Sequence, residues 1–321
     1  MTRYVIRRVL WAALVVFVVT LITFAIFFLL PSGDPAYRFA GRQPNPQIVA
    51  EIRHRFGLDN KWYVQYGIYV KHLFLGDQYG WPGLGFSYNS REPIRTELAN
   101  RAPKTLSLAI GAAILWLAMG ISIGVVSAVK RRTIVDRLAM GFALFGVSTP
   151  VFWIGLLGLY VFWQRLHILP GTGYVPFTQN PVQWFLHLLQ PWFVLALLYA
   201  AFYARMTRGS LIEALGEDYV RTARAKGLSE TRVILKHGLR ASLAPIATMF
   251  GMDIALLVGG AIVTESIFNI QGLGYWVIQS VFTQDFPVVV AIVFVGACAV
   301  VIMSLVVDIA YAFLDPRVRY T

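Results

Sequence analysis

Six apolar stretches, residues 9–30, 106–129, 138–162, 185–204, 243–263 and 288–307, constrain this chain more than any other feature of its 321 residues. Each is long enough to cross a bilayer as a helix. The first has 22 residues with only Thr20 and Thr23 as polar interruptions. At about 1.5 Å per residue it reaches roughly 33 Å, against a hydrocarbon core of about 30 Å. The fourth is the most polar, with His187, Gln190 and Pro191 near its start. Hydrophobic residues make up 57% of the chain and charged residues 14%, against about a quarter charged in soluble domains. So much apolar surface would over-fill a soluble core. The expectation is an all-α integral membrane protein of six transmembrane helices.

Arg3, Arg7 and Arg8 ahead of the first stretch resemble the start of a signal peptide. The apolar run is longer than the usual signal core of about 7–15 residues, and Pro31-Ser32-Gly33-Asp34-Pro35 after it lacks a small-residue cleavage site. A retained anchor is expected. A formal charge of +12 would, taken alone, suggest nucleic acid, but position speaks against that. With the N-terminus in the cytoplasm, 17 Lys and Arg fall on inner segments and 11 on outer ones, ten of these in the long segment 31–104. Long segments translocate largely regardless of charge, whereas short loops report orientation. The short outer loop 264–287 has no Lys or Arg at all. Both termini are therefore expected in the cytoplasm. No nucleic-acid partner is expected.

Segment 31–104 has a soluble character. Pro46–Phe56 carries Ile48, Val49, Ile52 and Phe56 at helical spacing, and Trp62, Tyr63, Tyr66 and Tyr69 supply interfacial aromatics. Gly80-Trp81-Pro82-Gly83 marks a turn. The expected organisation is an N-terminus and first helix over 1–30, an extracytoplasmic subdomain over 31–104, a five-helix core over 105–313 and a tail over 314–321.

The inner segment 205–243 carries eight Lys and Arg and is more than a linker. Glu217–Lys226 has no helix breaker, Gly227 fits a helix C-terminus, and Ser229 with Glu230 fits the start of a second helix reaching about Leu239. Pro245 is expected to open the fifth span. A solvated basic loop would explain the charge, but not the helix–Gly–helix design. Ala223 and Gly227, at i and i+4, offer a small surface for a partner's close approach, and long ordered loops tend to be functional.

This loop resembles the EAA loop of ABC importer permeases, closest to the dipeptide/oligopeptide/nickel branch, the DppB/OppB type. The match runs from Glu217-Asp218-Tyr219-Val220-Arg221-Thr222-Ala223-Arg224-Ala225-Lys226-Gly227-Leu228 to His237, Leu239, Arg240 and Pro245. Further pieces lie along the whole chain: Leu30–Pro35, Phe56-Gly57-Leu58-Asp59, Tyr63-Val64-Gln65-Tyr66, Arg101–Leu106, Ser148-Thr149-Pro150-Val151-Phe152, Glu265-Ser266-Ile267-Phe268 before Gly272-Leu273-Gly274, Asp285-Phe286-Pro287, Asp308 and Asp315-Pro316-Arg317-Val318-Arg319. Arg221 and Thr222 replace the Glu and Ala of the generic motif, as is usual for the peptide branch. Residues 78–85 look like a small insertion, and Ser304 stands where the family pattern has Asn.

The resemblance implies a type I ABC importer permease (MetI-like) fold. It implies half of a transmembrane heterodimer with a second permease of the DppC/OppC type, two cytoplasmic ATPase subunits that carry ATP and Mg, and an extracytoplasmic substrate-binding protein. The loop would dock in a groove on an ATPase, with Tyr219, Arg221, Ala223, Arg224, Lys226 and Gly227 as coupling residues. Ala223 and Gly227 would pack closely there, and the basic side chains would add charge complementarity or else meet lipid headgroups. The sequence has no G-x-x-x-x-G-K-[ST] phosphate cradle, so ATP hydrolysis is expected from partners and not from this chain.

Asp253 falls about mid-depth in the fifth span and Asp308 nearer the inner end of the sixth. An acid at a helix centre costs about 2.5–3.5 kcal/mol on the insertion scale, so each should face the bundle or water. Asp253 is the better pathway candidate, attracting a substrate's amino group; an interhelical hydrogen bond is the other reading. Glu265, beside the Gly272-Leu273-Gly274 turn, reads as a gate or scaffold, or as part of a plain turn. Ser148-Thr149-Pro150 reads as a hinge or kink in the third span.

Metal and enzyme readings lack support. His54, His72, His167, His187 and His237 form no H-x-x-x-H pair, and Cys298 is the only cysteine. The expected function is the permease subunit of an ATP-driven peptide importer. A nickel or other small-solute importer is the alternative, and an ion-coupled secondary transporter working through Asp253 is the rival.

Overall fold

The computed structural model describes residues 2–30, 33–41, 44–258 and 260–314, with side chains described over 6–30, 33–41, 44–257 and 260–306. Helices form wherever apolar sequence runs without a breaker, and they stop at caps, Gly and Pro. Helix α1 (Thr2–Phe24) continues through a π-helical turn, Ala25–Leu29. The soluble-like segment supplies α2 (Pro35–Phe39), α3 (Pro46–Phe56) and α4 (Trp62–Leu75). The expected helix at 46–56 is present because Asn45 caps it, accepting from the Gln47 N–H at 2.8 Å, Pro46 opens it, and Gly57 ends it at φ +59°. A short antiparallel ribbon follows, β1 (Phe86–Ser87) against β2 (Glu92–Pro93), with Ser87 opposite Glu92.

Long helices then dominate: α5 (Ile94–Val129), α6 (Ile134–Ser148), α7 (Val151–Gly158, prolonged by a π segment to Arg165) and α8 (Pro181–Gly216). After them come α9 (Asp218–Ala225), α10 (Glu230–Arg232), a π segment (Val233–Leu239), α11 (Arg240–Val258), α12 (Ile262–Ile267), α13 (Leu273–Phe282) and α14 (Phe286–Leu314). Five helices are long and apolar enough to cross a membrane, and six crossings result if α6 and α7 count as one broken span.

Three expectations need adjustment. The third stretch is not one straight span, because α6 and α7 meet at 98°. Thr149 closes α6 with both its N–H (3.1 Å) and its hydroxyl (2.8 Å) on the Phe145 carbonyl, and Pro150 has no N–H to carry the helix on. The fourth stretch does not end at 204, since α8 runs on to Gly216. Pro245 does not open the fifth span, because it lies inside α11. Asp308, the 315–319 motif and the 315–321 tail lie outside the residues whose side chains are described.

Contacts divide the chain into two compact units, Met1–Leu106 with Ala255–Ser266 and Gln271–Leu305, and Ser107–Ile254 with Ile267–Ile270 and Val306–Thr321. In the first, segment 31–104 shares its core with α1 and α14. Phe28 packs on Phe24 (4.9 Å between rings), Phe39 (4.7 Å) and Phe56 (5.2 Å), and Val288, Val290 and Ala291 join the same cluster. Thr20 meets the Tyr66 hydroxyl at 2.9 Å, so one of the expected interfacial tyrosines is tied inward, while Trp62 and Tyr63 stay exposed. Buried Asp77 pairs with Arg55 and accepts the N–H groups of Tyr79 (2.8 Å) and Gly85 (3.1 Å), which shapes the 78–85 stretch.

In the second unit, α5 and α8 approach at Gly120 and Gly124, the ends of a G-x-x-x-G step. A Cβ on Gly124 would lie 2.7 Å from the Ala204 carbonyl oxygen and 2.5 Å from the Thr207 Cβ. Backbone on one side and a packed side chain on the other leave nothing that can yield. Gly124→Leu should therefore destabilise the protein by at least the usual 1–3 kcal/mol or so of overpacking. Gly141→Leu, at a site with nothing within 4 Å, should not. Thermal unfolding in detergent checks this, and equal melting temperatures for the two variants would contradict the packing assigned here.

Candidate functional site

The 217–239 loop is a small helical knob with its own core. Val220 and Val233 are fully buried and Ala223 is 5% exposed, with Leu215 and Leu228 packed around them. Helix α9 ends in a Schellman motif: the Gly227 N–H bonds the Arg224 carbonyl (2.9 Å), the Leu228 N–H reaches the Ala223 carbonyl (3.4 Å), and Leu228 folds back on the cluster. Gly227 makes this possible at φ +75°, a left-handed conformation that side-chain-bearing residues avoid. Arg224 crosses the turn to Glu230 with two hydrogen bonds, 2.7 and 3.2 Å, and locks the two helices together. Ser229 stands at the N-cap position but makes no side-chain cap.

The predicted coupling residues thus divide. Arg221, Lys226 and Gly227 are exposed, and nothing lies within 4 Å of where a Gly227 side chain would begin. Tyr219 is 45% exposed, and burial, with the nearby Glu217 charge, pushes its phenol up, so it stays neutral. Arg224 is exposed but already paired. Ala223 faces inward and packs in the knob's own cluster, where a surface position was expected. The second half of the knob is no separate loop helix either. From Glu230 the helical path continues through the π segment into α11 as one span-length rod. Buried Gly238 lies against Leu211 and Leu215 of α8.

A bracket that the sequence did not flag sits at the base of α8. Arg208 donates two hydrogen bonds to Asp136, Nε to Oδ1 at 2.8 Å and Nη2 to Oδ2 at 2.9 Å. Asp136 also accepts from the Ser127 hydroxyl and from the Arg132 N–H (2.9 Å), and it is 5% exposed. The ends of α5 and α6 are thereby tied to the stem of the knob. Asp136 is the only acid in the basic run 130–137, and that was the available signal.

Asp253 accepts a 2.7 Å hydrogen bond from the hydroxyl of Tyr203, on α8. The interhelical bond weighed as an alternative is therefore present. Nothing in the spacing of Tyr203 announced it. Trp116 is fully buried nearby, with its ring 4.6 Å from Tyr199, 6.1 Å from Phe250 and 6.2 Å from Tyr203.

Glu265 is completely buried. It accepts from the Thr105 hydroxyl (2.8 Å) and from the Tyr275 N–H (2.7 Å) in the first turn of α13, while Thr105 accepts from the Leu273 N–H (2.8 Å). A carboxylate on free N–H groups at a helix start is favoured by the helix dipole. Burial pushes the Glu265 carboxyl up, against the pull of these hydrogen bonds. The geometry is that of a scaffold for the Gly272-Leu273-Gly274 turn. Thr105 lay inside a motif already singled out.

Two consequences are measurable. Gly227→Val should cost the knob about 1–2 kcal/mol for its left-handed turn, and Gly227→Asn much less. Trypsin should then cut at Arg224 and Lys226 roughly ten times faster in the Val variant than in the Asn variant, because cleavage tracks the open population. At the bracket, Arg208→Ala strands a buried Asp136 charge. It should lower the melting temperature more than Arg208→Ala combined with Asp136→Ala does.

Comparison with known proteins places this geometry. The model of the family described as binding-protein-dependent transport system inner membrane component matches residues 120–320, and its N-terminal counterpart matches residues 1–109. A protein of Brucella abortus (strain 2308), named as a peptide transport system permease, is 39% identical over 320 residues, covering 100% of both chains. The glutathione transport system permease protein GsiC of Escherichia coli O6:H1 is 38% identical over 320 residues, again covering 100% of both. Among solved structures, the MetNI methionine ABC transporter in inward-facing conformation matches with a TM-score of 0.55 at 18% identity, over 70% of this chain and 99% of that one, a likeness of fold. The chain belongs to the binding-protein-dependent transport system inner membrane components, and it is a multi-pass permease subunit of an ABC importer with the type I permease fold.

Proposed function

We propose that this permease passes short peptides, pairs with a second homologous permease of the DppC/OppC type, and is driven by two ATPase subunits docked at the knob. A substrate-binding protein would deliver peptide on the opposite side. The peptide reading rests on relatives named for peptide and for glutathione, itself a tripeptide. ATP and Mg belong to the ATPase subunits, since this sequence has no phosphate cradle. The charge asymmetry of the short loops supports cytoplasmic termini and a cytoplasmic knob.

One observation carries the coupling role. The knob's exposed rim, Arg221 to Gly227, sits at the head of a helical path that runs from Glu230 into α11. The turn 226–229 joins the rim to that path. The Arg224–Glu230 pair, the buried Val220–Ala223–Val233 cluster and the Gly227 turn keep the rim's shape. Gly227 leaves room for close approach, and Arg221 and Lys226 add charge that governs orientation and association rate more than affinity. Tyr219 adds an exposed phenol at the same end. Glu265, held by the Thr105 hydroxyl and the Tyr275 N–H, would brace the Gly272-Leu273-Gly274 turn.

Reversing both rim charges, Arg221→Glu with Lys226→Glu, should weaken ATPase association about tenfold. Each attraction of about 0.4 kcal/mol becomes a repulsion of similar size. Purification through a tag on the permease reads the amount of ATPase retained, and a melting curve checks that the permease itself is intact. Full retention of the ATPases by the double variant would refute the docking role.

A further inference from the structure

Tyr203 accounts for only part of Asp253. Among the described residues it is the only hydrogen-bond partner of that carboxylate, and it serves Oδ2 alone. An ionised carboxylate has about four acceptor positions. Asp136 has both oxygens engaged, by four hydrogen bonds from a hydroxyl, a backbone N–H and a guanidinium, and Glu265 also has both engaged. Asp253 is also only half-buried, whereas Asp136, Glu265 and its own partner Tyr203 are buried. A carboxylate kept purely to join two elements would be enclosed, as Asp136 and Glu265 are and as Asp285 is, its Oδ1 unpartnered but shut in. This one holds Oδ1 open, about mid-depth in a span, where an unmatched acid is disfavoured.

The surroundings define what Oδ1 can receive. Tyr199 lies one turn from Tyr203 on α8, and Phe250 lies one turn from Asp253 on α11. Both are partly exposed, and buried Trp116 backs both rings. A carboxylate oxygen beside aromatic faces suits an organic ammonium, which combines charge-assisted hydrogen bonds with attraction to the rings. A hard metal ion needs six or so oxygen ligands, and no group of three metal-binding side chains exists among the described residues. Proton relays in membranes run through chains of Asp, Glu and His, and the side chains placed here beside Asp253 are tyrosines, a phenylalanine and a tryptophan.

We propose that Oδ1 of Asp253, positioned by Tyr203 and flanked by Tyr199 and Phe250, receives the free α-ammonium group of the passing peptide. The proposal rests on the peptide reading above and adds the part of the substrate that the permease itself recognises. Tyr203 is a positioning residue: it fixes the carboxylate rotamer and disperses its charge while no substrate is present.

The test uses the assembled transporter in proteoliposomes, with saturating binding protein and a radiolabelled dipeptide. ATP hydrolysis is measured in the same vesicles. Asp253→Asn keeps the shape and can still accept from Tyr203, but it removes the charge. Tyr203→Phe breaks the interhelical bond and keeps the charge. The ammonium site predicts a loss of maximal uptake of about tenfold or more for Asp253→Asn, the size of a hydrogen bond to a charged group. For Tyr203→Phe it predicts a loss of about threefold or less, and Asp253→Glu should recover part of the activity. A purely structural bond predicts the reverse order, with Tyr203→Phe the worse variant, and that order would overturn the proposal. So would wild-type uptake by Asp253→Asn. If the wild-type complex hydrolyses ATP but takes up no peptide, the substrate reading itself fails, and the ammonium site falls with it.

Discussion

Carboxylates within or beside apolar helices must find donors, because lipid offers none. That constraint organises this protein. Asp136, Asp253, Glu265 and Asp285 each meet it differently. Asp136 takes a guanidinium, Asp253 a phenol, Glu265 a helix N-terminus and a threonine, and Asp285 the Ser87 hydroxyl at 2.5 Å. Each solution joins elements far apart in sequence. Ser87 and Asp285 fasten the β1–β2 ribbon to the start of α14, and Thr105 and Glu265 fasten α5 to the turn before α13. What the apolar composition leaves unspecified, the pairing of these few polar groups specifies.

Two of these donors stand on α8. Tyr203 and Arg208 belong to one helix of 36 residues, which also carries Ala204 and Thr207 against the two glycines of α5 and Leu211 and Leu215 against Gly238. Helix α8 is thus in close contact with α5, α6 and the rod that holds α11. Close backbone approach and hydrogen-bonded charge reinforce each other there. Small residues let the helices come near enough for a side chain as short as Asp to reach its partner.

The sequence made the apolar spans, the 46–56 helix and the Gly227 turn legible because each is written locally, as a run, a cap or a breaker. The family followed from motifs spread along the whole chain. Tertiary partners were not written locally. Ala223 read as a contact surface because its small size shows in sequence and its direction does not. Val220 and Ala223, at i and i+3, share one face of α9, but nothing local shows that this face is covered by Val233. Tyr203 and Arg208 look like ordinary members of an apolar and a basic run, and only the crossing of α8 with α11 and α6 gives them acids to hold. The Thr149-Pro150 break was visible as a break. Its angle of 98° was not, since the direction a chain takes after a Pro depends on what it packs against.

The rod that joins the knob to Asp253 also fixes how the two ends communicate. Helix α11 and its extension touch α8 at Gly238, where the glycine admits Leu211 and Leu215, and at the Tyr203–Asp253 bond. Asp253 lies 15 residues beyond Gly238, or roughly 22 Å at about 1.5 Å per residue. With Gly238 as the fulcrum, a tilt of about 5° would move Asp253 by roughly 2 Å along that arm. That is enough to break a hydrogen bond of 2.7 Å, whose strength falls steeply beyond normal contact distance. With the Asp136–Arg208 bracket tying α8 to α6, such a tilt would open the gap between Tyr203 and Asp253. With the ATPases docked at the rim as proposed, a shift there too small to disturb any helix would be large enough to change the partners of the carboxylate in the span.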